Sequence, residues 1–222
     1  MLQVLSLPQS VPPSIIIAVA ILLIFIVCNE TILKKTEKIM SKIDGQTYDV
    51  LKTYADNEEA ANRLAKVNTT VIKVLDHIKE KYIINRYDDT DEKKESRRHE
   101  IAERILRNYN FEVISENDPF ANDGTTYTVD KGAKLKFCVR DKINGKLHSI
   151  DILTFVGLHE LAHIGNPTWG HGEDFWEVFK FILREAVEAG LYTPIDYASK
   201  PVIYCGLLVD HNPLLDPLIK DI

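Results

Sequence analysis

HSIDILTFVGLHELAHIGNP, residues His148 to Pro167, carries the signals for both ends of a helix. Asp151 can cap a helix start, Gly165 stands where a C-terminal cap belongs, and Pro167 forbids continuation, so the run predicts a helix from about Ile152 to Ile164. Leu153, Val156, Leu161 and Ile164 provide its apolar contacts. His159 and His163 are four apart, so both imidazoles leave one face of that helix, and Glu160 follows the first of them. Two surface histidines on an ordinary amphipathic helix are the plain alternative. The apolar partners, the proper stop and a further histidine beyond it weigh against that alternative.

The further histidine is His171, in the run Trp169-Gly170-His171-Gly172. Glycines on both sides let the backbone pass closely by a bound group. The next helix, about Glu173 to Ala189, places Phe175, Val178, Phe179, Ile182 and Ala186 on one face, so it can pack beside the first and hold His171 near the histidine pair. Three imidazoles suit zinc, which takes neutral nitrogen ligands at about 2.0–2.1 Å and, at catalytic sites, keeps its fourth position for water. The carboxylate after the first ligand is then placed to take that water's proton. The expectation is one catalytic Zn2+ held by His159, His163 and His171, with Glu160 as general base. Glu185 and Glu188 are rival third ligands, but they leave the glycines around His171 unexplained.

His159-Glu160-Leu161-Ala162-His163 followed by His171-Gly172-Glu173-Asp174-Phe175-Trp176 resembles the SprT-like and WLM group of minigluzincin-type metallopeptidases. Their pattern is HExxH, a short loop, then a histidine with an aromatic pair opening a helix. The likeness covers roughly Ser149 to Gly190. It implies zinc, a third ligand at His171, Glu160 as general base, and peptide-bond hydrolysis on a protein or peptide substrate. The loop Gly165 to Gly170 is longer than in many relatives, and the DNA-repair role of that group is not carried over, because no basic tail is present. The apolar start, the helices and the closing stretch together also resemble predicted proteins of large DNA viruses, a likeness that names no activity. Two rival functions remain open: another zinc hydrolase, such as a nuclease with a three-histidine site, and a non-catalytic, zinc-stabilised membrane adaptor.

Upstream of this region, Phe111 to Ile114, Thr125 to Val129 and Leu135 to Arg140 read as strands separated by turn signals. Helices are expected from Asn57, with Leu64, Val67, Val71, Val74 and Ile78 as the buried stripe, and over about Glu95 to Asn108. Ile83 to Lys94 reads as a solvated charged loop, and Pro201 to Val209 as one late strand. The expected class is α+β: a zincin-like domain over 57–222, with a small, mostly antiparallel sheet packed on helices.

Residues 14–28 carry no charge, and Ile15 to Cys28 is unbroken apolar sequence, so a transmembrane helix is expected there, after a short segment 1–13 and before a juxtamembrane connector 29–56. Lys34, Lys35, Lys38 and Lys42 follow it, which by the positive-inside rule puts the catalytic domain of a single-pass membrane protein in the cytosol. The net charge of -6 offers no basic excess for phosphates, so nucleic acid is disfavoured as a partner. Cys28, Cys138 and Cys205 are an odd number at wide spacing and suggest neither a disulfide framework nor a thiolate metal site; a reducing compartment fits them. Cys205 reads as a small buried apolar residue. Tyr204 and Tyr197 are candidate donors to a developing oxyanion, and His77, His99, His148 and His211 read as structural or surface residues.

Overall fold

The computed structural model describes residues 12, 14–22, 35–85, 91–110, 112, 114–120 and 124–222. Met1–Lys35 and Thr36–Ile222 separate into two compact units. In the first, a helix α1 covers 14–22, with Ile15, Ile16, Ile17, Val19, Ile21 and Leu22 all exposed. No helix among the described residues is long and apolar enough to cross a membrane. The expected single-pass span over 14–28, and the cytosolic placement built on it, are thereby overturned; positions 23–28 of that span lie outside the described residues. Two lysines behind the orientation argument belong to the second unit: Lys38 lies within a strand, and Lys42 pairs with Glu58.

The stretch expected to be a connector contributes two strands instead. β1 (Thr36–Met40) and β2 (Thr47–Leu51) form an antiparallel hairpin, closed by Asp44-Gly45 with Gly45 at φ 72°. Alternation in β2 explains the pairing, since Tyr48, Val50 and Leu51 are buried in the core. The domain therefore begins near residue 36, not at 57.

α2 (Asn57–Ile78) buries the expected stripe and continues into a π-helical turn, Lys79–Ile84. Asp56, not Asn57, is the residue before its first turn. α3 (Glu92–Asn108) starts three residues earlier than expected because Asp91 accepts hydrogen bonds from the amides of Lys93 and Lys94. Then come β3 (Ile114–Glu116), β4 (Tyr127–Val129) and β5 (Lys134–Phe137). The expected strand Phe111 to Ile114 is met only at its last residue, and 111 and 113 lie outside the described residues.

The strand order is β1-β2-β3-β5-β4, and the sheet is mixed rather than mostly antiparallel. β2 pairs with β3 and β3 with β5 in parallel, while β1–β2 and β4–β5 are antiparallel. The reason lies in the connection: α2 and α3 stand between β2 and β3, and a long crossover of that kind returns the chain in the same direction.

α4 (Ile150–Gly165) crosses the core. Its start is Ser149, and Asp151 sits in the first turn near the positive end of the helix dipole rather than at the cap. A Cβ on Gly157 would lie 2.7 Å from Val67 Cγ1, so glycine is what lets α2 and α4 approach so closely. α5 (Glu173–Glu188) packs on α4 through Phe175, Val178, Phe179 and Ile182, all buried. The closing stretch expected as one strand is a hairpin, β6 (Val202–Tyr204) and β7 (Leu207–Val209), turning at Cys205-Gly206 with both residues at positive φ. Cys205 forms a disulfide with Cys138, just past β5, with Cα atoms 6.3 Å apart. This corrects the reading of the two cysteines as unpaired; Cys28 lies outside the described residues.

Candidate metal centre

α4 presents His159 and His163 one turn apart, and the loop after it brings His171 back to them. His163 Nε2 and His171 Nε2 each lie 3.1 Å from His159 Nε2. Tetrahedral ligands at about 2.0–2.1 Å from a zinc ion sit about 3.3 Å from one another, so the spacing fits. Three imidazole nitrogens are a donor set that zinc takes. The same three side chains form a group that can hold a metal ion, their ligand atoms all within 4.8 Å.

Phe175, fully buried on α5, backs all three imidazoles, with ring centroids 4.9, 4.4 and 4.6 Å from those of His159, His163 and His171. Burial first, and the neighbouring imidazoles second, push the His159 pKa well down; burial, then His171 and the Lys131 charge lower His163 to about 4, and burial lowers His171. The imidazoles are thus kept in the neutral form that binds metal.

Glu160 is 3 % exposed and accepts a hydrogen bond of 2.5 Å from Thr128 Oγ1 on β4, the edge strand. Burial pushes its carboxyl up to about 7, and the bond from Thr128 opposes that shift. A carboxylate near neutrality is suited to accept and return a proton.

These groups line one cavity of about 520 Å³, whose walls include Thr128 from β4 and Thr126 just before it, Phe155 and Val156 from α4, and Leu207 and Val209 from β7. Tyr204 also lines it, with its hydroxyl 2.5 Å from Thr126 Oγ1; of the two tyrosines weighed as oxyanion donors it is the one at the cavity, whereas Tyr197 is buried away from it. His211, read from sequence as structural or surface, lines the cavity too, held by Asp216 at 3.0 Å and edge-on to Trp176. Lys131 was visible only as part of a turn; it donates to the carbonyl oxygens of His163, Asn166 and Thr168.

The rival third ligands lie elsewhere. Glu185 is fully buried, with Tyr82 Oη at 2.8 Å and Lys81 Nζ at 2.9 Å, and Glu188 also pairs with Lys81. Neither lines the cavity. His148 packs on Tyr204 and lies 3.5 Å from Cys205 Sγ, and His99 bonds the carbonyl of Tyr82.

No family model and no solved structure matches the chain. Uncharacterized protein R325 of Acanthamoeba polyphaga mimivirus is 31% identical over 206 residues, which is 90% of this chain and 98% of the relative. Uncharacterized protein 042R of Invertebrate iridescent virus 3 is 32% identical over 96 residues, covering 42% of this chain and 57% of its own length. Uncharacterized protein 136R of Invertebrate iridescent virus 6 is 34% identical over 84 residues, 36% of this chain and 44% of its own. With near-complete coverage of both sequences, the chain belongs to the family of the mimivirus protein R325.

Proposed function

We propose that this chain is a zinc-dependent peptidase of the kind its HExxH run resembles, acting on protein or peptide substrates. The observation that carries the reading is the convergence of three imidazole nitrogens beside a buried, cavity-lining carboxylate. His159, His163 and His171 would hold the ion, which supplies Lewis-acid polarisation of the scissile carbonyl and acidifies water. Glu160 takes the proton of the attacking water and passes it to the leaving amine. Thr128 holds the Glu160 carboxylate by its hydrogen bond, and Tyr204, which lines the same cavity, is the candidate donor to the developing oxyanion.

Two features favour this reading over its rivals. A structural zinc clip closes all four positions with protein, whereas here the triad borders a cavity large enough for a peptide segment. A nuclease needs cations for phosphate, and among the described residues the one lysine on the cavity wall has its ammonium protons directed at three backbone carbonyls.

The test is hydrolysis of an unfolded protein by the purified, zinc-loaded chain. Glu160→Gln is expected to lower kcat by roughly 10²- to 10⁴-fold while zinc content stays unchanged. Undiminished hydrolysis by that variant would remove Glu160 from the reaction.

A further inference from the structure

His171 reaches the histidine pair from a loop with little to hold it. Residues 167–172 are exposed and have no regular structure, and Gly170, at φ 83°, and Gly172 have open space around them. Trp169 is 73% exposed. Such a loop on its own would sample many conformations, and ordering His171 on the ion would cost entropy with each binding event.

Asn166 Nδ2 donates to the carbonyl and hydroxyl oxygens of Thr168, and the rings of Phe175 and Trp176 lie against His171, but the tie that joins the loop to both α4 and the sheet is Lys131. Lys131 Nζ donates to the carbonyl oxygens of His163 at 3.0 Å, Asn166 at 2.8 Å and Thr168 at 2.7 Å, and sits 4.7 Å from the centroid of the Trp169 ring. An ammonium has three protons, and three carbonyls receive them. Two of those carbonyls, His163 and Asn166, belong to the negative end of α4, and the third lies three residues before His171. One cation thus joins the helix carrying two ligands to the loop carrying the third.

The turn that delivers Lys131 joins β4 to β5, with the Gly132 amide donating to the Val129 carbonyl at 3.1 Å, and positive φ at both central residues is what such a hairpin turn calls for. Asp130 and Lys131 have φ of 46° and 54°, and Gly132 follows at 117°. Gly132 is pressed against the end of α3, where a Cβ would lie 2.3 Å from the carbonyl oxygen of Asn108. The turn and the packing of Gly132 therefore fix where the lysine emerges.

We infer that Lys131 is a positioning residue for the metal centre: it acts through His171, holding the loop so that the third imidazole is pre-set beside the other two. This rests on the metal reading above and adds to it a residue outside the HExxH pattern, on the turn between β4 and β5. Supporting residues of this kind change metal affinity by about ten- to a hundred-fold when removed.

The test is a double-mutant cycle on Zn2+ affinity, measured with the full, metal-free chain by competition against a chromophoric chelator. Lys131→Met should weaken zinc binding about ten- to a hundred-fold when His171 is present, and change it less than about twofold in a His171→Ala background. A lysine that merely caps α4 would lower thermal stability in both backgrounds without that dependence. If His171→Ala itself leaves zinc affinity unchanged, the metal reading falls and this inference with it. If His171→Ala weakens binding but Lys131→Met does not, or weakens it equally in both backgrounds, only the role of Lys131 is overturned. Lys131→Gln, which keeps an amide donor of similar reach, replaces Lys131→Met should the latter not fold. Failure of both to fold would assign the lysine to the fold itself and overturn the inference.

Discussion

His159, His163 and His171 are neutral in the folded, metal-free chain because burial and mutual proximity disfavour three charged rings. Their folded pKa values lie below the ordinary 6.5, that of His163 at about 4, so unfolded chain takes up protons that folded chain refuses. The stability this gives is fully present above about pH 6.5 and is lost as pH falls toward 4. Equilibrium unfolding of the metal-free protein is expected to show that decline, and His163→Gln to reduce it. A stability flat across this window would mean that the rings titrate as if exposed. Because few protons compete for these nitrogens, zinc should also be retained to lower pH than exposed histidines would allow.

At the level of elements, the β6–β7 hairpin is the wall most dependent on side chains for its place. It carries Tyr204, Leu207 and Val209 to the cavity, and is held to the rest by the Cys138–Cys205 disulfide, the Tyr204–Thr126 hydroxyl contact and the packing of Tyr204 on His148. The bridge closes a span of 67 residues, for which the chain-entropy account gives a stabilisation of about 4 kcal/mol. Thermal unfolding with and without a thiol reductant, and of Cys138→Ser, is expected to show that loss. Identical melting of oxidised and reduced protein would contradict a stabilising bridge.

Across the whole molecule, Arg140 joins segments far apart in sequence. Its Nε donates to Glu116 Oε1 at 2.8 Å and its Nη1 to Asp56 Oδ1 at 2.6 Å, while Glu116 Oε2 accepts from the Leu51 amide. Arginine and glutamate are both fully buried. Arg140→Met would leave the carboxyl buried beside nothing that balances it, and is expected to cost about 3–5 kcal/mol in denaturant unfolding, much of it recovered by adding Glu116→Gln. A loss below about 1 kcal/mol would show that the pair contributes little.

This network marks where the sequence stops being legible. α4 and α5 were readable because their apolar periodicity and stop residues are local, and with them came the placement of His159, Glu160 and His163 on one helix. His171 was readable through its glycines. The sheet order was not, because β2, β3 and β5 are brought together across two helices and nothing local records which strand neighbours which. The hairpin of residues 36–51 was missed because its alternation is short and was read against a neighbouring apolar run. The same distance in sequence hid Cys138 from Cys205, and hid the contribution of Thr128 and Lys131 to a site built on another element.

The most direct test of the metal centre is the zinc content of the purified full chain, in wild type and in His171→Ala. One zinc per folded chain, weakened or lost in His171→Ala, is the predicted result. Properly folded protein that takes up no zinc would contradict the account, and the HExxH run would then be a coincidence of helix and loop.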